Sequence, residues 1–259
     1  MRIINFTNQK GGTGKSTSTI NIGAILGSEG YKVLIIDGDP QHNATFGLGF
    51  KDSFEKKITI YECMTNEVPI IKAIMKTHFK NVDIVPSSIK HANAELEIAT
   101  MMVGRESLLK DSLNMCISDL NYDFIIFDSP PTLGLLHLNG LVAATEVIIP
   151  VDVGPFALEG INQLEASINL VQRKLNPALI ISGVILTKYD SRNNLSANTY
   201  KDVENKFGET TFQNVIRNTS KIGEAQAAGI PISYFDPKGI GAIDYTALTR
   251  EVIERGSKG

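Results

Sequence analysis

The segment NQKGGTGKST at residues 8–17 sets two lysines, Lys10 and Lys15, five positions apart around three glycines. Gly11, Gly12 and Gly14 lack a Cβ, so the backbone can turn tightly and aim successive N–H groups at phosphate oxygens. Such a loop works best where it opens a helix, whose N-terminus is positively polarised. In that setting Lys15 reaches the β- and γ-phosphates and the Ser16 hydroxyl ligates Mg²⁺, with Thr13 and Thr17 completing the phosphate-binding run. The usual pattern GxxxxGK[ST] fails at its first letter, where the chain has Gln9. What remains is a nucleotide loop with one lysine more than it needs.

Two further stretches supply carboxylates. IIDGDPQHNAT places Asp37 and Asp39 two apart at the end of an apolar run, and FIIFDSPPTLG closes four apolar residues on Asp128 before a rigid Ser-Pro-Pro turn. The second is the Walker B arrangement, a carboxylate at a strand end beside the phosphate loop, holding Mg²⁺ directly or through water.

These residues need a scaffold that brings strand ends together. Short apolar runs at 3–7, 33–37, 82–86, 124–128, 147–151 and 179–187 alternate with helical patterns at 15–28, 88–118, 133–143, 157–174, 194–207, 221–228 and 241–256. Nearly continuous apolar strands separated by helix-length segments mark a parallel sheet buried on both faces. The expected fold is α/β: a doubly wound, mostly parallel sheet flanked by helices, in one domain over 1–259, with ligands at the carboxyl ends of the strands. No linker or repeat divides the chain, and no apolar run approaches a membrane span. The N-terminus has no secretory pattern, which predicts a cytoplasmic protein. Cys63 and Cys116 are far apart and read as buried thiols. With a net charge of −3 the chain is not broadly basic, so any nucleic-acid binding must come from a local patch.

The loop fits the deviant pattern KGGxGK[ST], and with DGDPQHNAT and DSPPTLG it resembles the ParA/MinD family of P-loop ATPases. The likeness runs from Arg2 to about Arg255. It implies ATP and Mg²⁺ as cofactors, and a Lys10 that reaches across to the phosphates in a partner subunit when two monomers sandwich two ATP molecules. It also implies that Asp39 positions or activates the attacking water, that Asp37 supports the Mg²⁺ region with Ser16 and Asp128, and that Pro130, Pro131 and Gly134 shape a γ-phosphate-sensing loop. His42 departs from the family's usual glycine. By the same resemblance Thr187, Lys188, Ile216, Arg217 and Asn218 lie near the adenine, and Asp236 and Pro237 border it.

Among family members the chain looks like the short, Soj-like ParA type. That implies an ATP-dependent homodimer that binds DNA non-specifically and associates with the nucleoid, and whose hydrolysis is stimulated by a ParB-like adaptor. Lys201, Lys206, Arg217, Lys221 and Arg250 are candidates for the DNA patch. The alternatives are a ParA-like positioner of a protein cargo and a MinD-like membrane-cycling ATPase. The latter needs an amphipathic C-terminus, and ALTREVIERGSKG is short of apolar bulk. An iron–sulfur ATPase would want a cysteine soon after Asp128, where there is none. Finally, VPIIKAIMKTHFK at 68–80 spaces Lys72, Lys76 and Lys80 four apart, an amphipathic helical pattern.

Overall fold

The computed structural model describes residues 1–51, 57–155 and 157–256. The six apolar runs become the parallel strands β1 (Arg2–Phe6), β2 (Val33–Asp37), β4 (Val82–Val85), β5 (Phe124–Asp128), β6 (Glu146–Asp152) and β7 (Ile180–Thr187). A two-residue strand, β3 (Met75–Lys76), adds to the edge of β4 in antiparallel sense, giving the order β3-β4-β2-β5-β1-β6-β7.

Side chains alternate across the sheet with the period of two that a strand dictates. Val33 and Ile35 enter one core with Ile22 and Leu26 of α1 (Lys15–Ser28) and Leu248 and Val252 of α11 (Ile240–Gly256). Leu34 and Ile36 enter the opposite core, built with α3 (Ile60–Thr65), α4 (His91–Ala99), α5 (Leu108–Asn114) and α6 (Leu135–Ala143). A third cluster packs β6 and β7 against α7 (Glu159–Lys174) and α8 (Asn194–Phe207). Helices thus cover both faces, as the apolar strands require. Short helices α2 (Asn43–Gly47), α9 (Ser220–Ala228) and α10 (Ile232–Phe235) pack beside α1. Cys63 and Cys116 are buried free thiols, and burial pushes the Cys63 thiol up to about 12.

Two expectations are corrected. The helical pattern over 88–118 divides into α4 and α5, separated by a stretch containing Gly104 at φ 78°. The stretch 68–80 is not an amphipathic helix: it forms a single 3-10 turn at Ile70–Lys72 and then β3. Pro69 lacks the N–H that would continue a helix backward, and the open edge of β4 takes up Met75 and Lys76 opposite Ile84 and Asp83. Lys76 is accordingly paired with Asp83 at 2.7 Å rather than with helix neighbours. No helix among the described residues is long and apolar enough to cross a membrane.

Candidate active site

The phosphate loop joins β1 to α1, at the carboxyl edge of the sheet. Gly12 (φ 74°) and Gly14 (φ 88°) hold left-handed conformations that residues with a Cβ adopt only under strain. Asn8 braces the base of the loop, its Oδ1 accepting from the Lys10 N–H at 3.0 Å and its Nδ2 donating to the Pro150 carbonyl at 2.7 Å. The Thr187 hydroxyl donates to the Thr13 carbonyl at 2.9 Å, so the end of β7 supports the loop from the other side. The Lys15 ammonium curls back on the Lys10 carbonyl at 3.3 Å. Burial lowers its pKa, and the facing carboxylates of Asp128 and Asp39 draw it back up.

Asp37 and Asp128 are direct register partners at the ends of β2 and β5. Their surroundings differ. Asp37 accepts from the Thr45 N–H and hydroxyl, both at 2.7 Å, and from the Asp39 N–H at 3.2 Å. It anchors α2, and burial pushes its carboxyl up to about 6 despite these bonds. Among the described residues neither buried oxygen of Asp128 completes a hydrogen bond of normal geometry, the Ser16 hydroxyl being the donor that favours its charge. Burial first, then the charge of Asp37, raises its pKa well above the usual carboxylate range, while the neighbouring Ser16 hydroxyl opposes the shift. A desolvated carboxylate with free lone pairs beside a hydroxyl suits a hard cation. Ser16 and Asp128 therefore fit Mg²⁺, which keeps several of its own waters. Asp39 is nearly buried, accepts from the Gln41 N–H at 2.9 Å, and has its pKa raised by burial.

A cavity of about 470 Å³ opens beside the loop. Gly11, Gly12, Gly14, Lys15, Ser16, Thr17 and Asp39 form one wall, and Thr187, Lys188, Ile216, Arg217 and Asn218 form another. Asp37, Asp128, Asp236 and Pro237 are not among its lining residues. Lys188 has φ 57°, and its ammonium lies 3.8 Å from where a Cβ on Gly12 would stand, beside the phosphate loop. Arg217 is fixed by Asp244, which accepts from its backbone N–H at 2.9 Å and chelates its guanidinium.

Sequence reasoning missed Gln41, Asn43, Thr219, Ile222, Gly223, Gln226 and Tyr245, which also line the cavity. Thr219 had a local signal, since its hydroxyl caps α9 by accepting from the Lys221 N–H at 3.3 Å. Tyr245 had none. It is fully buried on α11 and reaches the site only through tertiary packing, its hydroxyl 3.3 Å from Ser18 Oγ.

Lys10 lies outside this cavity, its ammonium 2.8 Å from Asp152 at the end of β6. His42 takes φ 46°, a left-handed value that explains why glycine suits that position. The proposed DNA residues do not form one free patch. Arg217 faces the cavity and is held by Asp244, Lys206 pairs with Glu165, Lys221 with Glu224, and Arg250 lies 3.8 Å from Glu29 in a groove rich in glutamates. Lys201 is exposed on α8.

The comparisons accord with this geometry. A family described as an AAA domain matches residues 1–181. The chain is 40% identical to the sporulation initiation inhibitor protein Soj of Bacillus subtilis, over 98% of this chain and 99% of that protein. It is 41% identical to the chromosome-partitioning ATPase Soj of Treponema pallidum, over 96% of each. Among solved structures it resembles the cobyrinic acid a,c-diamide synthase of Mycobacterium smegmatis with a bound ATP analogue and magnesium, at a TM-score of 0.85 and 32% identity, covering 99% of this chain and 96% of that one. A nucleotide loop with an extra lysine, two carboxylate-tipped strands and this sheet order define a P-loop ATPase. The chain belongs to the ParA/MinD family of P-loop ATPases, on its Soj-like side, with ATP and Mg²⁺ as its cofactors.

Proposed function

We propose that this ATPase, acting as one domain, partitions DNA: it binds Mg-ATP, pairs with a second copy around two nucleotides, holds DNA without sequence preference in that state, and lets go on hydrolysis. The observation that carries the reading is the position of Lys10, outside its own cavity on an exposed ion pair, where it can be given up to another subunit's phosphates. The likeness to Soj proteins over nearly the whole chain supports the cargo assignment.

In the chemistry, the glycine loop and Lys15 bind the β- and γ-phosphates. Ser16 and Asp128 hold Mg²⁺, which supplies charge neutralisation when bound. Asp39 orients the water, and Asp37 fixes the loop that carries Asp39. Lys10 of each subunit adds positive charge where transfer develops negative charge. Thr187, Lys188, Ile216, Arg217 and Asn218 shape the nucleotide pocket. Lys201, with Lys206 and Lys221 once released from their partners, supplies the DNA contacts, and dimerisation doubles a modest patch into an effective one. A ParB-like adaptor stimulates turnover, and the protein cycles between cytoplasm and nucleoid without stable membrane association.

The test is DNA retention by the pure protein with ATP and with ADP across a salt series, together with ATP turnover with and without DNA and the product of a small neighbouring gene. Retention needs ATP and weakens steeply with salt, as phosphate contacts do, and both additions raise turnover. Equal retention with ADP, or turnover indifferent to DNA, would overturn the DNA reading and favour a protein cargo.

A further inference from the structure

Helix α4 touches both loops that flank the reacting end of the nucleotide. At its first position His91 is fully buried with the Gly38 backbone as a polar neighbour, though neither ring nitrogen completes a hydrogen bond among the described residues. One turn further, Glu95 faces the segment that follows Asp128. Its Oε1 accepts from the Leu135 N–H at 2.5 Å and its Oε2 from the Leu136 N–H at 3.2 Å.

Leu135 and Leu136 are the first two residues of α6, so this carboxylate satisfies two of the N–H groups that a helix start leaves open. Its charge also lies at the positive end of the helix. The helix has no such group of its own: Gly134 gives no side-chain cap, and no acidic residue occupies the first turn. A Cβ on Gly134 would overlap the Glu95 carboxylate. Glycine at this place admits a cap from another helix.

The loop 129–134 is thereby tied at both ends. At its start the Ser129 hydroxyl donates to Asn5 Oδ1 at 2.7 Å, and the Ser129 N–H donates to the Phe6 carbonyl at 3.2 Å. At its end Glu95 holds Leu135 and Leu136. Between the ties lies Pro131, which lines the nucleotide cavity.

We propose that Glu95 is a positioning residue for ATP hydrolysis: through α4 it holds the Pro131 loop in register with the Gly38 loop, so that the two close on the nucleotide together. The inference rests on the ATPase activity of the family and on the cavity as the nucleotide site, but not on DNA as the cargo. It makes α4 a rod hydrogen-bonded through Glu95 to the Pro131 loop and packed through buried His91 beside the Gly38 loop.

The experiment measures steady-state ATP turnover, ADP affinity by calorimetry and thermal unfolding for Glu95→Ala, Glu95→Gln, Gly134→Ala and the double variant Glu95→Ala/Gly134→Ala. Small displacements near a reacting centre cost up to about 100-fold in rate. Glu95→Ala is expected to lower kcat roughly 10- to 100-fold with KM little changed and ADP affinity within about threefold of the parent. Glu95→Gln, which keeps an acceptor, restores a large part of the loss. Gly134→Ala displaces the carboxylate and reproduces the defect, so the double variant is no slower than the slower single, because both remove the same contact. Faster amide exchange at Leu135 and Leu136 in Glu95→Ala locates the change. Unaltered kcat in a folded, ADP-binding Glu95→Ala, or losses that multiply in the double variant, would overturn the proposal. If Glu95→Ala does not fold, Glu95→Gln and Gly134→Ala decide: parental turnover in both sinks the idea. A parent protein that binds ADP but has no ATPase activity would instead refute the hydrolase reading beneath it.

Discussion

The Lys10 ammonium lies 2.8 Å from Oδ1 and 3.0 Å from Oδ2 of Asp152, bridging the phosphate loop to the end of β6. This cation is engaged by a carboxylate of the same chain and does not line the cavity. The Lys10 side chain is 47% exposed, so the pair contributes no more than about 1 kcal/mol to stability and is easily released.

Lys10→Ala should therefore leave denaturant stability within about 1 kcal/mol of the parent and nucleotide affinity in the same decade. Turnover should fall by roughly 100- to 1,000-fold, the usual cost of losing one donor to transition-state charge. Light scattering with ATP would show the paired state weakened. Parental dimerisation and turnover would reduce Lys10 to an ordinary loop residue.

Asp128→Asn removes a buried carboxylate whose oxygens complete no hydrogen bond of normal geometry among the described residues. Without nucleotide the variant should melt no lower than the parent, because burial and the neighbouring Asp37 charge oppose the carboxylate more strongly than Ser16 and Lys15 favour it. With ATP present, the Mg²⁺ concentration for half-maximal turnover should rise by at least about tenfold. Parental Mg²⁺ dependence would remove Asp128 from the metal site.

Asp39→Ala should keep Mg-ATP bound and slow hydrolysis by about 100-fold or more. Single-turnover assays separate the two effects, since binding persists while the chemical step stalls. Asp37→Ala should behave differently, loosening α2 as well, because Thr45 loses the acceptor for both hydrogen bonds it donates to Asp37.

Burial holds His91 and His137 at about 4, well below the ordinary histidine value of 6.5. Between pH 6.5 and 4 the unfolded chain binds more protons at these rings than the fold does. Their stabilising contribution is therefore complete above pH 6.5 and falls as the pH drops through that window. Asp37, raised to about 6, acts in the opposite sense, its contribution being lost as the pH rises toward 6. Because Asp37 is common to both proteins, the difference between His91→Leu and the parent isolates the histidine. The variant should lose roughly 1–2 kcal/mol less than the parent between about pH 7 and 5, measured by urea unfolding. Parallel curves would place the His91 pKa near its ordinary value.

The central strands and the phosphate loop were legible because each is a local pattern: a continuous apolar run, or glycines ahead of a helix. Asp128 gained meaning from its place behind the other two motifs. What sequence could not show was decided across the fold. The 68–80 segment has helical spacing of its lysines, yet the open edge of β4 claims Met75 and Lys76. Tyr245 enters the cavity from the last helix, and Asp244 beside it pairs with Arg217. Lys10 could be read as a second cation, but its counter-ion sits 142 residues away.

The sheet order has a consequence for how such a protein diversifies. β1 lies between β5, which with β2 ends in the carboxylates Asp128 and Asp37, and β6, which pairs with β7 and so leads to Thr187 in the far wall of the pocket. The buried carboxylates and that wall therefore occupy opposite flanks of a single strand. On the proposed reading, substitutions at the end of β7 and just after it would reshape the pocket wall at Thr187 and Lys188 while leaving Asp37, Asp39 and Asp128 in place.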